Sequence, residues 1–354
     1  KSIKKPTTGE NQTREIVARI LQEIEEGGEK KAKDYGIQFD GWNSAINVSK
    51  EVVEESASKV SQQLKDDIKF AYDRIFGFAC KQMESIKEFN VELSPGLWAG
   101  QKLIPMKTAG CYVPGGRYAH VASAIMSIAT AKAAGVENVV ACSSPKKEYD
   151  GIHPAILYTM DLCGADYILA IGGVQAIAAM AFGLFTGFKS DILVGPGNKF
   201  VAEAKRILYG RVGIDLFAGP TEILIIADET ADPEIVANDL VGQAEHGLDS
   251  PAWLVSTDRE LAKNVMSLMT PLIDSLPKAQ REAAINAWSD YGEVILCDTD
   301  EEAANISDEY APEHLEIQTK NLNWFSKRLK NYGSLFIGEE TTVAFGDKCS
   351  GTNH

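Results

Sequence analysis

The sequence predicts an α/β fold built from two parallel-sheet domains, each resembling an incomplete Rossmann fold, with a helical extension at the N-terminus. Short runs that are apolar throughout recur from residue 135 onward, and most precede a turn and a helical stretch. Continuous apolar character is typical of parallel strands covered by helices on both faces of the sheet. These runs are VENVVACSSP, ADYILAIGG, SDILVGPGN, TEILIIADE, AWLVSTD, GEVILCDTD and GSLFIGE.

Helical periodicity fills the rest of the chain. Residues 11–90 are expected to be helical, because apolar positions recur at helical spacing. Helices are also expected directly after three of the strands, in GGVQAIAAMAFG, NKFVAEAKRILYG and DPEIVANDLVGQAEHG.

Turns rich in glycine and proline, CYVPGGRY and FAGPTE, place domain boundaries near residues 118 and 222. The expected division is therefore an N-terminal helical extension (1–25), a first α/β domain (26–117 and 222–354) and a second α/β domain (118–221).

Composition argues against several functional classes. The net charge is −15, whereas broad contact with nucleic acid phosphates needs clustered lysine and arginine. No apolar run approaches the about 20 residues that cross a bilayer, and no cleavable signal pattern opens the chain. The six cysteines are scattered without a C-x-x-C pair. Disulfides and cysteine-rich zinc sites are not expected, and a reducing cytoplasm is the expected location.

Several strand-to-helix turns are rich in glycine, notably Gly172–Gly173, Gly195–Gly197 and Gly219–Pro220. Glycine lets backbone amides approach a phosphate, and a helix N-terminus favours an anion. The dinucleotide fingerprint G-x-G-x-x-G is absent, since GPGNKFV keeps only its first two glycines. These turns fit a nucleotide site and a simple packing turn equally.

A mixed nitrogen and oxygen set is a candidate metal site. If residues 233–246 form one helix, Gln243 and His246 lie on the same face, and Gly247 is placed to cap the end. Asp347, in AFGDKCSGTNH, adds a carboxylate. Three protein ligands with room for substrate suit catalytic Zn²⁺, and Mn²⁺ tolerates the same donors. The alternative is a capped helix end and a surface turn.

Glu313 and His314, in APEHLEI, form a candidate catalytic pair. Imidazole is the natural base for a hydroxyl proton at neutral pH, and a carboxylate can activate water. Successive strand residues face opposite sides, so both serve one pocket only where the backbone is irregular, which Pro312 favours. The pair precedes its strand, whereas ligand crevices usually lie beyond the carboxyl ends. A chance adjacency therefore also stays open.

The chain resembles the histidinol dehydrogenase family over nearly its whole length. The matching stretches keep the family's order and spacing: GCYVPGG, IGGVQAIAA, VGPGN, VGIDLFAGPTEILIIAD, GQAEHG, APEHLEI and FGDKCSGTNH. The resemblance implies an NAD-dependent, zinc-requiring homodimer. It also implies oxidation of a primary alcohol to a carboxylate through a held aldehyde, with two NAD molecules used in turn.

The resemblance also assigns roles by matching position. His314 deprotonates the alcohol, and Glu313 activates the water that attacks the aldehyde. The zinc ligands would be Gln243, His246 and Asp347. The NAD contacts would be Tyr112, Gln175 and Asn198. Thr221 and His354 would contact the substrate, as would the three zinc ligands and His314. The family's fourth zinc ligand is a histidine on a C-terminal segment that crosses to the partner subunit. This sequence stops before that segment.

Local departures from the family point to the substrate. Thr221 stands where histidinol dehydrogenases usually carry serine. GGRYAHVASAIMSIATAK and TTVAFGDKCSGTNH look more like the relatives that oxidise 2,3-dihydroxypropane-1-sulfonate (sulfopropanediol) to sulfolactate. A sulfonate needs cations and N–H donors, for which Arg117, His120 and Lys348 are candidates, although each also fits an ordinary surface charge. The predicted substrate is the sulfonate diol, with L-histidinol as the alternative.

Three other functions fit the sequence less closely. A catalytically silent binding protein would bind NAD or substrate without turnover. A metal-dependent hydrolase would turn over without NAD. An aldehyde dehydrogenase with a nucleophilic cysteine would use Cys111 or Cys349, which border the motifs.

Overall fold

The computed structural model describes residues 9–115, 119–216 and 221–353, which form two compact units. Unit 1 contains the described residues up to 216 together with 348–353, and unit 2 contains residues 221–347. Within the described residues, no helix combines the length and apolar character needed to cross a membrane.

Unit 1 is built on a five-stranded parallel sheet in the order β5-β4-β3-β6-β7, with a separate antiparallel hairpin β1-β2. Its strands are β1 (Phe89–Ser94), β2 (Leu97–Gln101), β3 (Thr108–Tyr112), β4 (Asn138–Ser143), β5 (Tyr167–Ala170), β6 (Ile192–Val194) and β7 (Gly213–Ile214). Its α-helices are α1 (Gly9–Asp40), α2 (Lys50–Ser58), α3 (Gln62–Glu84), α4 (Val121–Ala124), α5 (Thr130–Ala133), α6 (Pro154–Leu162), α7 (Gly173–Phe182) and α8 (Lys199–Leu208). A π-helical turn, Ile125–Ala129, joins α4 to α5, and Lys147–Tyr149 is a 3₁₀ turn.

Unit 2 repeats the same strand order in a second parallel sheet, β10-β9-β8-β11-β12. Its strands are β8 (Ile223–Ala227), β9 (Ala252–Ser256), β10 (Glu293–Leu296), β11 (His314–Gln318) and β12 (Ser334–Ile337). Its helices are α9 (Pro233–Ala244), α10 (Arg259–Ser275), α11 (Lys278–Tyr291), α12 (Asp300–Tyr310), α13 (Leu322–Arg328) and α14 (Val343–Phe345). A π-helical turn, Gly346–Ser350, follows, and its first two residues belong to this unit. In both sheets the first and fourth strands in chain order are neighbours, as in a doubly wound fold.

The predicted fold class is confirmed. The seven predicted apolar runs contain β4, β5, β6, β8, β9, β10 and β12. The predicted helical stretch over residues 11–90 covers α2, α3 and all of α1 except its first two residues, but its last two residues begin β1. The sequence prediction missed β3, because TAGCY is short and contains a glycine, although all five of its residues are buried.

The domain division differs from the expected one. Residues 26–117 belong to unit 1 rather than to the domain that contains residues 222–354, because β3 is the central strand of the first sheet. Residues 1–25 do not form a separate extension where they are described. Helix α1 buries Val17, Ile20 and Ile24 in the same apolar cluster as residues of α7 and α8. The expected boundary near 222 lies within a few residues of the start of unit 2.

Strand β11 positions the candidate catalytic residues and is unusual in having one polar face. Leu315 and Ile317 pack in an apolar cluster with Phe325 on one side of the sheet. His314, Glu316 and Gln318 point to the other side, because side chains alternate along a strand. Gln318 contacts Asp239, so this face is the one covered by α9.

Candidate active site

His314 is held by the backbone of the neighbouring strand. The ring is buried, and its Nδ1 lies 3.1 Å from the carbonyl oxygen of Glu222, just before β8. A carbonyl can only accept a hydrogen bond, so in the neutral ring Nδ1 carries the proton. The Nε2 atom then keeps its lone pair and is the nitrogen able to act as a base.

Glu313 lies directly beside that ring. Its Oε2 is 3.8 Å from His314 Nδ1, and its side chain is 36% exposed while the histidine side chain is 2% exposed. The expected backbone irregularity is present, since Ala311 has φ 49 in the left-handed region and β11 begins only at His314. A half-exposed carboxylate next to a buried imidazole can contact water and a substrate together.

Both residues lie at the amino end of β11, as the order of APEHLEI predicts. Thr221, before β8, is at the same edge, because β8 and β11 are parallel and pair His314 with Ile223. Helix α9 runs back along the sheet after β8, so its C-terminal end reaches this edge too. Gln243 Nε2 donates to Thr221 Oγ1 at 3.0 Å. The site in unit 2 is therefore at the edge opposite the usual crevice of such sheets.

The end of α9 differs in detail from the prediction. The helix stops at Ala244, and His246 lies in a following turn in which its amide bonds to the Gln243 carbonyl at 3.2 Å. Gly247 does not have a positive φ, so the expected glycine cap is wrong. His246 is exposed, and its Nδ1 lies 2.8 Å from the Gly242 carbonyl. That contact fixes the proton on Nδ1 and leaves Nε2 available to bind a metal.

The three candidate metal ligands all belong to unit 2. Asp347 is half-buried in the π-helical turn after α14. The side-chain nitrogen of Gln243 donates to Thr221, which leaves the side-chain oxygen of Gln243 available as a metal ligand. Among the residues that the structure describes, no three His, Cys, Asp or Glu side chains cluster as a metal site. The candidate set has only two residues of those types, together with the Gln243 amide, and its donor atoms fit Zn²⁺ or Mn²⁺.

Two of the three candidate NAD contacts meet around the start of α7 in unit 1. Tyr112 ends β3, and its hydroxyl accepts a hydrogen bond from the Gly173 amide at 3.2 Å. Gln175, buried in α7, donates to Asp40 Oδ2 at 3.2 Å, and the same oxygen accepts from the Gly172 amide at 3.4 Å. Burial raises the pKa of Tyr112 to about 12, so it remains a neutral phenol.

The third contact, Asn198, caps α8, with its Oδ1 accepting from the Phe200 and Val201 amides at 3.0 and 3.2 Å. The turn before it comes very close to β3. A Cβ at Gly195, where φ is 112, would lie 2.1 Å from the Tyr112 carbonyl oxygen. The turns that bear Tyr112 and Asn198 are thus neighbours at the carboxyl ends of β3 and β6, the switch point where ligands bind in this type of sheet.

The structure describes two of the three candidate sulfonate contacts, since Arg117 lies outside the described residues. His354, a candidate substrate contact, also lies outside them. His120 is half-buried at the start of α4, and burial lowers its pKa, so at neutral pH it offers an N–H donor rather than a positive charge. Lys348 is exposed in unit 1.

The sequence reasoning missed polar residues that support the site. Glu222 supplies a backbone carbonyl, which leaves no mark in a sequence. Asp40, Asp239, Glu316 and Gln318 are buried or half-buried acids and amides. Glu316 did leave a signal, since a carboxylate between Leu315 and Ile317 interrupts an otherwise apolar strand.

Comparisons with known proteins identify the family of the chain. The family model described as histidinol dehydrogenase matches residues 3–354. A histidinol dehydrogenase homolog of Pelagibacter ubique (strain HTCC1062) is 64% identical over 100% of this chain and 83% of its own. The sulfopropanediol 3-dehydrogenase of Ruegeria pomeroyi is 54% identical over 96% of this chain and 78% of its own.

The fold comparison points the same way. The crystal structure of histidinol dehydrogenase from Elizabethkingia anophelis superposes with a TM-score of 0.90 at 34% identity, covering 96% of this chain and 78% of that one. Fold and relatives together define an α/β oxidoreductase of the dehydrogenase class. The chain belongs to the histidinol dehydrogenase family.

Proposed function

We propose that the protein oxidises the primary alcohol of 2,3-dihydroxypropane-1-sulfonate to the carboxylate of sulfolactate, using two NAD molecules and an enzyme-held aldehyde. The observation that carries this proposal is the 54% identity with a sulfopropanediol 3-dehydrogenase over 96% of the chain. Identity with the histidinol dehydrogenase of Elizabethkingia anophelis is lower, at 34%.

The geometry of unit 2 supports the proposed proton transfers. The Glu222 carbonyl keeps the proton of His314 on Nδ1, so Nε2 accepts the hydroxyl proton of the alcohol. The Glu313 carboxylate is half-exposed and reaches water, so it takes a proton from the water that attacks the aldehyde. Burial of His314 limits the competing access of bulk water to its ring.

NAD supplies the hydride acceptor for both oxidations when it is bound. In unit 1 the proposed contacts are Tyr112, Gln175 and Asn198, and their placement at the carboxyl edge of the sheet supports this role. The Asp40 carboxylate holds the Gln175 amide, which fixes the side chain before a nucleotide arrives.

A metal ion fits the donors of Gln243, His246 and Asp347. Two of the three are already oriented, because Thr221 directs the Gln243 amide and the Gly242 carbonyl directs the His246 ring. Zn²⁺ bound to this set would polarise the reacting oxygen and orient the substrate, and Mn²⁺ is the alternative ion. We propose Thr221 and His354 as further substrate contacts, and Arg117, His120 and Lys348 as sulfonate contacts.

We also propose that the protein acts as a cytoplasmic homodimer. All six cysteines are free thiols, which agrees with a reducing compartment. The two-stranded β1-β2 hairpin exposes large apolar side chains, and such a hairpin is marginally stable without further packing. The exposed fractions are 51% at Phe89, 65% at Leu93, 57% at Leu97 and 59% at Trp98. A second subunit covering this surface would remove it from water.

Oxidation of L-histidinol is the second candidate, supported by the similarity in fold to a histidinol dehydrogenase. Purified protein supplied with NAD and Zn²⁺ is assayed for NADH formation with each alcohol as the sole substrate. The proposal predicts turnover of the sulfonate diol and a kcat/KM for it well above that for histidinol. Turnover of histidinol alone would overturn the substrate assignment, and nucleotide binding without turnover of either would support a silent binding protein.

A further inference from the structure

The polar face of β11 contains more buried polar groups than the proposed chemistry uses. His314, Glu316 and Gln318 are 1%, 0% and 1% exposed. The residues paired with them on β8 are Ile223, Ile225 and Ala227, an apolar series. Burying a polar group between a helix and a sheet costs free energy unless it is hydrogen-bonded.

Glu316 and Gln318 form a compact cluster with Asp239 of α9. The Gln318 Nε2 donates to Asp239 Oδ2 at 3.0 Å and to Glu316 Oε2 at 3.2 Å. The carboxyl groups of Glu316 and Asp239 also hydrogen-bond to each other. A carboxylate can only accept, so a hydrogen bond between two carboxyl groups requires one shared proton.

The surroundings favour that protonated state. Burial, and then the negative charge of Asp239, raise the pKa of Glu316 to about 9. Burial also raises the pKa of Asp239. Among the described residues, Asp239 is the charged group that shifts the pKa of Glu316. The residues paired with Glu316 on the neighbouring strands, Ile225 and Phe336, are apolar. The pair therefore holds one proton at neutral pH.

The cluster joins the two segments that carry the proposed metal ligands. Asp239 lies one helical turn before Gln243 on α9, so the two side chains are on the same face. The backbone amide of Val343, at the start of α14, lies beside the Glu316 carboxyl group and acts to lower its pKa. Val343 is four residues before Asp347. Glu316 thus contacts both segments from the strand that begins with His314.

We propose that Glu316 is a positioning residue, whose buried carboxyl group ties α9 through Asp239 and α14 through Val343 to β11, and so sets the places of Gln243, His246 and Asp347. The link to metal binding rests on the proposed function, whereas the link between the three segments does not. Directional hydrogen bonds suit this task, because apolar contacts alone let a helix shift along a sheet. Ligand sets tolerate shifts of only about 0.5 Å.

The first test measures amide hydrogen exchange in the metal-free protein for Glu316→Leu and Glu316→Gln. Leucine keeps the apolar volume but loses every hydrogen bond. Glutamine mimics the protonated acid, since its N–H donates to Asp239 and its oxygen accepts from Gln318. Leu329→Ala is the matched control, because it opens a cavity on the opposite face of the same sheet.

The expected result is faster exchange in residues 239–246 and 343–347 for Glu316→Leu, with Glu316→Gln close to wild type. Leu329→Ala should leave those two segments protected. Uniform loosening of unit 2 in both Glu316→Leu and Leu329→Ala would overturn the proposal, as would unchanged exchange in Glu316→Leu.

The second test measures zinc affinity by competition with a chelating dye. Loss of a residue that orients metal ligands typically costs about 10–100-fold in affinity. Glu316→Leu is expected to lose affinity by a factor in that range, and Glu316→Gln should keep most of the wild-type affinity. If wild-type protein binds no zinc, the metal assignment of the proposed function fails, while the exchange experiment still decides the positioning role.

The third test compares the pH dependence of unfolding of the wild type with that of Glu316→Gln, a variant that is expected to fold. Between the ordinary pKa of glutamate and about 9, the folded protein keeps a proton that the unfolded chain has lost. The unfolding equilibrium constant of wild type, relative to Glu316→Gln, should therefore rise about tenfold per pH unit across that window. Parallel pH profiles from urea titrations of the two metal-free proteins would show that Glu316 is ionised and would overturn the proposal.

Discussion

The Nδ1 atom of His314 lies 3.1 Å from the backbone carbonyl of Glu222, and this single contact determines which ring nitrogen can act as a base. The carbonyl belongs to the chain just before β8, and the histidine begins β11. Pairing of the two parallel strands therefore helps to orient the proposed catalytic imidazole through a backbone group, which a sequence does not reveal.

Replacement of His314 by asparagine should lower kcat by about 10²–10⁴-fold, the usual contribution of a general base. Asparagine keeps an N–H for the Glu222 carbonyl but has no basic nitrogen. The measurement is steady-state NADH formation at saturating alcohol and NAD. His153→Asn is the matched control, since His153 caps α6 through a contact with the Ala155 amide that asparagine can replace. Near-normal kcat in His314→Asn would exclude the imidazole as the base.

Thr221 should affect metal binding through Gln243. Thr221→Val keeps the shape of the side chain but removes the oxygen that accepts from Gln243 Nε2. The free amide can then rotate, so zinc affinity should fall by about 10–100-fold. Thr221→Ser keeps the oxygen and should bind zinc almost as wild type does. Equal affinity in all three proteins, measured by dye competition, would show that this hydrogen bond does not orient the ligand.

Gly195 should be essential for the nucleotide turn. Alanine there places a Cβ 2.1 Å from the Tyr112 carbonyl oxygen and must also adopt a φ of 112. The combined strain and overlap should destabilise unit 1 by about 2–4 kcal/mol and raise the KM for NAD. Gly210→Ala separates the two effects, because φ is 94 there and nothing lies within 4 Å of the added carbon. Thermal unfolding measures the stability of each variant, and NAD titration measures its nucleotide affinity. Equal losses of stability and of NAD affinity in Gly195→Ala and Gly210→Ala would refute the role of the close contact with Tyr112.

Neither Cys111 nor Cys349 should be needed for oxidation. Cys111 is fully buried in β3, and burial raises the pKa of its thiol to about 12, so it is not a thiolate at neutral pH. The double variant Cys111→Ala/Cys349→Ala should keep the wild-type kcat. Abolished NADH formation in a folded double variant, checked by circular dichroism, would instead support a covalent thiohemiacetal route.

The repeated pattern of apolar strands and helices was sufficient to predict the fold class. A strand buried on both faces is apolar at nearly every position, and this is visible in the sequence. The domain division was not predictable in the same way. Strand β3 supplies the centre of the first sheet, yet TAGCY is too short and too small to stand out from a loop.

The candidate site was also predictable only in part. Glu313 and His314 were recognisable as a pair, and their position at the amino end of β11 follows from the order of APEHLEI. The contacts that orient them were not recognisable, since the Glu222 carbonyl is a backbone group. The Asp239–Glu316 pair joins residues that are far apart in the sequence, and only the packing of α9 on β11 brings them together.

The most direct test of the central claim counts NADH formed from a limiting amount of sulfopropanediol. With excess NAD and Zn²⁺, wild-type protein should yield two NADH per diol and sulfolactate as the final product, whereas His314→Asn should yield almost none in the same time. One NADH per diol with free aldehyde released, or no NADH from the diol alongside full conversion of histidinol, would contradict the account.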